Sequence, residues 1–564
     1  MRALLVLLLL SMSSAVAAGE EPWWRHAVIY EIYPRSFQDS NGDGIGDLNG
    51  ITSRLDYLRD LGVDAIWMTP VYPSPQVDFG YDISDYEAID PQYGTLADFD
   101  RLVAEAKRRN IRVVMDMVLN HTSDQHAWFL AASRSRTDPH HDYYVWAEGR
   151  PGPGGTPLPP NNWVSLFGGS AWQWVPAVRQ FFYHDFYKQQ PDLNFGNPAV
   201  EKAMFDAIRF WLDRGVAGYR LDAIPSLFED PRRRDEPIVG GKNAQGDLVL
   251  QHIYTDNLPE VHAVVRRLRA MVQRYAGDRV LIGETYLPDT AALDAWYGGA
   301  QQDELQLPMN MQFGFHGAHD KLDATRYRQS IVEMATMLHG GQPLLVFDNH
   351  DNPRSWDRFA DGIHDAGIAR IIAALLLTTR SSALLYYGQE LGMRTTPPTR
   401  KQDVRDPIGI TGWPDEKGRD GERTPMTWDG TKQAGFTTSA APWLPVATSP
   451  DGNVQAELAS PGSLLSFYRQ LIALRRSNAA LREGDITVVD AKNPAVLSYV
   501  RGAGNDRVLV SLNMSDRPQT LQLARELGAA SLKPLLTSEP RLRNATSTRN
   551  ITLSPYATFV AAIH

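Results

Sequence analysis

Residues 197–222 read NPAVEKAMFDAIRFWLDRGVAGYRLD, and they hold a helix, a stop and a strand in immediate succession. Asn197-Pro198 supplies an N-cap and a proline at the first helical position. Val200, Met204, Phe205, Ile208, Trp211 and Leu212 recur at helical spacing and share one apolar face, and Gly215 ends the run. Ala217 to Leu221 then reads as a buried strand, with Arg220 and Asp222 at its end.

The same helix-strand alternation extends in both directions. Upstream, Ala27 to Tyr33, Val63 to Met68 and Ile111 to Val118 are buried-strand runs. Leu55, Leu58 and Leu61 form a helical stripe capped by Gly62, and Thr95 with Asp98 opens a second helix whose apolar face is Phe99, Leu102, Val103 and Ala106. Downstream, Val280 to Gly283, Leu344 to Phe347 and Ala383 to Tyr387 read as strands, and Met309 to Phe315 is the weakest candidate. Eight strands separated by helices imply a parallel (β/α)8 TIM barrel over 22–121 and 191–480. Residues 122–190 interrupt it: eight of the eleven residues from Arg150 to Pro160 are Pro or Gly, so an inserted loop domain is expected there, poor in helix and strand. Past an amphipathic helix near Leu464 to Arg476, short strands at Ile486 to Val489, Val496 to Val500, Val508 to Leu512 and Thr558 to Ala562 predict an antiparallel C-terminal β-sandwich over 485–564.

Composition narrows the function. The chain has 564 residues, no cysteine, and Lys+Arg 56 against Asp+Glu 66, a net charge of -10. Disulfides, thiolate metal sites and cysteine nucleophiles are excluded, and nucleic-acid phosphates find no basic surface. Met1 and Arg2 precede the apolar run Ala3 to Leu10, and Ala15 to Ala18 are small, so residues 1–18 read as a secretory signal peptide. An exported protein without disulfides suits a bacterial periplasm or the surrounding medium.

In such a barrel the chemistry sits beyond the C-terminal ends of the strands. Asp116 and Asn120-His121 stand there on the third strand, Arg220 and Asp222 on the fourth, Glu284 on the fifth and Asn349-His350-Asp351 on the seventh. Clustered carboxylates either hold a divalent cation or cleave a glycosidic bond, one as nucleophile and one as acid. Arg220 lies two residues before Asp222 and points to the same side, which predicts a lowered Asp222 pKa and an ionised nucleophile, and it would compete with a cation. Glu284 has no cation near it in sequence and is expected to stay protonated. The glycosidase reading follows.

The motifs Gly62-Val63-Asp64-Ala65-Ile66-Trp67, Asp116 to His121, Gln190-Pro191-Asp192-Leu193-Asn194, Gly218 to Asp222, Gly283-Glu284-Thr285, Phe347 to Asp351, Tyr387 to Glu390 and Arg423 to Trp428 occur in this order. Together they resemble the α-amylase-type glycoside hydrolase family (family 13), in its α-glucosidase and oligo-1,6-glucosidase branch. The resemblance implies Asp222 as nucleophile, Glu284 as acid/base and Asp351 as the third carboxylate. It implies His121, His350 and Arg220 around the reacting glucose, Tyr81 stacked on it, and Asp78 paired with Arg423 to close the pocket. Phe79 stands where the branch usually has Asn, and Ala223 where Val accompanies α-1,6 preference. The expected enzyme is an exo-acting, retaining α-glucosidase of maltose and short α-1,4-linked malto-oligosaccharides, with its two catalytic carboxyls about 5–5.5 Å apart. A glucosyltransferase, sucrose hydrolase or trehalose-forming isomerase shares the same residues. An inactive, transporter-associated or sugar-binding homologue is the alternative of another class, and the intact set Asp222, Glu284 and Asp351 opposes it.

Asp39, Asn41, Asp43 and Asp47 place oxygen ligands at alternate positions around glycines, as in an EF-hand loop, but position 12 is Gly50. Three Asp so close would repel without a cation, so a structural Ca²⁺ is expected. The resemblance adds the carbonyl of Ile45 as a ligand.

Overall fold

The computed structural model describes residues 21–564 except 244, 318, 448–451, 504, 529, 545 and 550, so the expected leader lies outside the described residues. Eight parallel strands close a barrel: β1 (Val28–Ile32), β2 (Ala65–Met68), β3 (Arg112–Val118), β4 (Gly218–Asp222), β5 (Val280–Gly283), β6 (Leu307–Asn310), β7 (Leu344–Val346) and β8 (Ser382–Tyr386). Each is fully buried apart from the first residue of β3, because helices cover the outside and side chains fill the inside. The (β/α)8 expectation holds, with one displaced element. β6 begins before Met309, since Pro308 lies inside it, and the stretch after Asn310 turns into a 3-10 helix over Met311–Phe313. Leu307 and Pro308 pair with β5 whereas Met309 and Asn310 pair with β7, so the missing N–H of Pro308 does not break the barrel.

Local chemistry sets the helix boundaries. Helix α1 (Leu96–Arg108) opens with a complete Thr95/Asp98 capping box, and α2 (Pro198–Asp213) with the Asn197 side chain accepting from the Ala199 N–H. Gly62 and Gly215 adopt left-handed backbone where their helices stop. Trp211 on α2 is completely buried, 4.9 Å edge-on to Phe99 of α1, with its Nε1 donating to the Tyr86 carbonyl at 2.7 Å.

The inserted segment leaves and returns at one point. His121 bridges Asp192, and the Leu193 N–H donates to the Asn120 carbonyl at 2.8 Å. Between them the chain contains more regular structure than its Pro and Gly content suggests: the helix Ala127–Ala132 and a three-stranded antiparallel sheet of Trp146–Ala147, Trp172–Val175 and Gln180–Tyr183. Trp163, Trp172, Phe181 and Tyr183 give it a small core of its own.

At the C-terminus, β9 (Asp485–Val489), β10 (Val496–Ala503), β11 (Asp506–Asn513), β12 (Leu532–Thr537) and β13 (Thr558–Ile563) form one antiparallel sheet in the order β9-β10-β11-β13-β12. Alternate residues serve two cores. Leu497, Tyr499, Val508 and Val510 join the main core of the barrel, and Val496, Val500, Leu509 and Phe559 form the separate core of the outer face. A two-stranded pair, Gln519–Thr520 with Thr552–Leu553, lies over that outer face in place of a full second sheet. Edge strand β12 escapes sequence reading because Pro534 and a register shift between Pro534 and Leu536 break its alternation. Among the described residues no helix is long and apolar enough to cross a membrane.

Trp211→Ala removes the ring that joins α1 and α2, and the barrel is expected to lose about 3–5 kcal/mol in denaturant titration followed by circular dichroism.

Candidate active site

Strand alternation decides what faces the barrel axis. Ile29, Trp67, Val114, Ile282, Met309 and Leu384 fill it with an apolar plug. Toward the C-terminal ends the same alternation brings Glu31, Asp116, Arg220 and Asp222 into the interior, all buried. Asp116 stands beside Arg220 in the β3-β4 ladder, and Val118 beside Asp222.

Arg220 gathers three acids. Its Nη1 donates to Asp116 Oδ1 at 3.1 Å and to Asp222 Oδ1 at 2.5 Å, and its Nη2 lies 2.8 Å from Glu284 Oε1. Glu284 therefore does have a cation, supplied by the neighbouring strand. The residue before it, Gly283, is packed against Leu305, whose Cδ1 would lie 2.2 Å from a Cβ at that position. The other carboxylate oxygen of Glu284 accepts the N–H of Ala223 at 2.9 Å. Ala223 holds left-handed backbone, φ 43°, a strained conformation for a residue with a Cβ, and it aims that N–H at the acid.

One guanidinium shared by three carboxylates cannot hold all of them ionised. Burial raises Asp222 to about 7 despite Arg220, with Asp116 adding repulsion. This overturns the expectation of a lowered Asp222 pKa, because desolvation outweighs the cation. Burial likewise raises Glu284 to about 7, again against Arg220 and reinforced by the charge of Asp222. The two titrate as a pair and keep one proton between them near neutrality. Asp351 differs. Burial works against its ionisation, but His350, Arg419 and Arg423 together hold its carboxyl well below the usual carboxylate range. Both Arg419 Nη1 and Arg423 Nη2 donate to its Oδ1 at 2.9 Å.

The partner of Asp78 is Arg419, not the expected Arg423. Arg419 Nη2 donates to Asp78 Oδ1 at 2.6 Å and its Nε to Asp406 Oδ2 at 2.8 Å. Arg423 is fully buried, with its Nε donating to the His350 carbonyl at 2.7 Å. The two arginines lie four residues apart on one irregular loop, where spacing does not reveal which one turns inward.

A cavity of about 210 Å³ opens above this floor, lined by Asp78, Tyr81, His121, Asp222, Ala223, Glu284, Tyr286, Asp351 and Arg419 among others. That is below the range of about 300–1,000 Å³ usual for larger ligands and leaves room for little more than one sugar ring. The Tyr81 ring stacks on His350 at 5.4 Å and 6°, and His350 is buried behind it. His121 lies 3.1 Å from Gln190 Nε2 and 3.2 Å from the Tyr81 carbonyl, and burial lowers it to about 3, so it is a neutral imidazole. Phe79 turns away, edge-on to Trp443 at 5.3 Å. Tyr286 and Arg419 escaped sequence reading. Tyr286 is 52 % exposed at the cavity rim, with its hydroxyl accepting from Asn352 Nδ2 at 2.9 Å.

The N-terminal acidic loop is wound on its own backbone. Asp39 accepts the N–H groups of Asn41, Gly42 and Gly44 and the Thr437 hydroxyl, which takes all four of its lone-pair positions. Asp43 accepts the Ile45 N–H, and Asp47 those of Ser40 and Gly50 together with the Ser40 hydroxyl. These donors offset the repulsion among the acids. Among the described residues no group of three or more His, Asp or Glu side chains is arranged to hold a metal ion.

Comparison with known proteins agrees with this geometry. The family model "Alpha amylase, catalytic domain" matches residues 31–484, and "Maltogenic Amylase, C-terminal domain" matches residues 486–560. A probable α-glucosidase of Rhizobium meliloti (strain 1021) is 42% identical over 536 residues, covering 93% of this chain and 94% of that protein. The crystal structure of an α-glucosyl transfer enzyme superimposes with a TM-score of 0.85 at 40% identity, covering 96% of this chain and 100% of that one. The trehalulose synthase MutB of Pseudomonas mesoacidophila MX-45 superimposes with a TM-score of 0.87 at 34% identity, with the same coverages.

The shared proton gives a pH signature. In kcat/KM against pH, activity should rise as the first proton leaves the Asp222/Glu284 pair and fall as the second leaves. Asp351 raises the affinity of Glu284 for that second proton, so in Asp351→Asn the falling limb of the residual activity on an aryl glucoside is expected at lower pH.

Proposed function

The chain belongs to the α-amylase-type family of glycoside hydrolases, and on that footing we propose that it is a retaining enzyme of small α-glucosides. It transfers one terminal glucosyl unit to Asp222 and passes it on to water or to a second sugar. The observation that carries this is the convergence of Asp222 and Glu284 on one guanidinium at the floor of a cavity sized for a single ring.

In the first step Asp222 attacks the anomeric carbon while Glu284 gives its proton to the departing glycosidic oxygen, so no charge builds on the leaving group and the negative charge of the floor passes from Asp222 to Glu284. The pair needs one proton in total, which is what its raised pKa values provide near neutrality. Arg220 follows the reaction as a fixed counter-charge: losing the Asp222 anion to the ester leaves it to Asp116 and to the newly ionised Glu284. In the second step Glu284 takes a proton from water or a sugar hydroxyl, whose oxygen attacks the ester carbon and frees Asp222. Asp351 stays ionised throughout and suits an oxocarbenium-like centre. Tyr81 offers a ring face to the sugar, and His121 lines the cavity as a neutral imidazole.

α-1,4-Linked maltose is the proposed donor, supported by the small Ala223 beside the two carboxyls. Transfer and isomerisation of sucrose form the second reading, favoured by the superimposed α-glucosyl transfer enzyme and trehalulose synthase and by the exposed ring of Tyr286 at the rim, an apolar seat for an acceptor. Proton NMR of separate incubations with maltose, isomaltose, sucrose and trehalose tests both. α-Glucose is expected as the first product released from the non-reducing end of maltose, with new oligosaccharides at high sugar concentration, and Asp222→Asn should lower kcat by more than about 10³-fold. β-Glucose appearing first would overturn retention, and a preference for sucrose with a rearranged disaccharide as main product would select the second reading.

Calcium in the loop of Asp39, Asn41, Asp43, Ile45 and Asp47 is likewise proposed as structural, supported by the alternating oxygens and by the acceptor positions Asp43 and Asp47 keep beyond their backbone partners. Asp39 would join only by releasing a donor. Calorimetry with and without EDTA is expected to show a Tm several degrees lower in the chelator. An unchanged Tm would make this a loop stable on its own hydrogen bonds.

A further inference from the structure

Glu31 is completely buried in β1, between Trp67 of β2 and Tyr386 of β8, and takes no part in the steps above. Its Oε1 lies 2.7 Å from His350 Nδ1 and accepts the His350 backbone N–H at 3.2 Å, and its Oε2 has no hydrogen-bond partner among the described residues.

The far side of the imidazole tells where its proton is. His350 Nε2 faces Tyr81 Oη at 2.7 Å and Asp351 Oδ2 at 3.2 Å. Tyr81 gives its own hydrogen to Asp116 Oδ2 at 3.0 Å, and Asp351 is an anion, so both contacts require a hydrogen on Nε2. In a neutral imidazole Nδ1 is then an acceptor, and the 2.7 Å contact has to be donated by Glu31. The other arrangement, imidazolium with carboxylate, would bury an ionised oxygen, Oε2, with no donor at all. Burial pushes Glu31 up and His350 down, both toward the neutral form, with Asp351, Arg220, Arg419, Arg423, Asp116, Tyr81 and Tyr386 as the charged and titratable groups around the pair.

We propose that Glu31 is a neutral carboxylic acid that donates to His350 Nδ1 and so acts as a positioning residue. It selects the tautomer in which His350 presents its Nε2–H to Tyr81 and Asp351. The result is a one-way chain of hydrogen bonds from Glu31 through His350 and Tyr81 to Asp116, where it meets Arg220.

The proposal rests on the glucosidase reading only for its kinetic readout. Glu31→Gln keeps a neutral donor, at the expense of the 3.2 Å contact, and is expected to hold kcat/KM within about threefold of the parent with the same pH profile. Glu31→Leu removes the donor and is expected to lower kcat by about ten- to hundredfold with little change in KM. A Gln variant as impaired as the Leu variant would show that the charge is needed and overturn the proposal, as would a Leu variant of parental activity. Should the Leu variant not fold, ¹⁵N-histidine spectra of the unaltered protein decide: the signal missing in His350→Gln is expected to be that of a neutral Nε2–H ring, and an imidazolium or Nδ1–H signal overturns it. Those spectra need no substrate. A protein inert on every sugar would refute the glucosidase reading without touching this one.

Discussion

The guanidinium of Arg220 is fixed in place by Asp116 on the next strand, and the chemistry is assembled around that buried charge. A lone cation inside a barrel is costly, and a lone carboxylate equally so. Together they offset each other: three carboxylates take the two terminal nitrogens of the guanidinium, and the N–H of the strained Ala223 holds the second oxygen of Glu284, while Arg220 Nε has no partner among the described residues. The same crowding gives two of the acids a common proton. A stronger cation excess would strip that proton from Glu284, and a weaker one would leave Asp222 neutral.

Asp351 shows the opposite arrangement a few ångströms away. Two guanidiniums on one oxygen and an imidazole on the other keep it an anion whatever its neighbours do. Acids of similar intrinsic strength thus acquire different duties from the number of positive partners each one has. The ion pair of Arg419 with Asp78 extends the set to the cavity wall, so the residue that stabilises the third carboxylate also limits the space for a second sugar ring on that side.

Much of this was legible in the sequence because it is local. Strand and helix periods, caps and glycine stops lie within a dozen residues, and the carboxylates fall at strand ends that those periods locate. What escaped reading is long-range. The Arg220 contact with Glu284 joins adjacent strands across 64 residues of chain, and the choice of Arg419 over Arg423 depends on how an irregular loop folds back onto Asp78, 341 residues away. Proline hid the true course of β6 and β12 by breaking patterns that their neighbours repair. Glu31, a charged residue in the otherwise apolar strand Val28-Ile29-Tyr30-Glu31-Ile32, was a visible signal, but its partner is 319 residues downstream.

The inserted segment begins and ends on the same rung, with His121 bridged to Asp192 and the Leu193 N–H on the Asn120 carbonyl. Its two ends are already joined by the barrel, so exchanging or lengthening what lies between adds little chain-closure entropy. It is in effect a cassette. Because His121 is the first residue at that junction and lines the cavity, a new cassette would arrive next to an intact set of reacting groups, and a lineage could change which sugars fit without rebuilding the machinery that cleaves them.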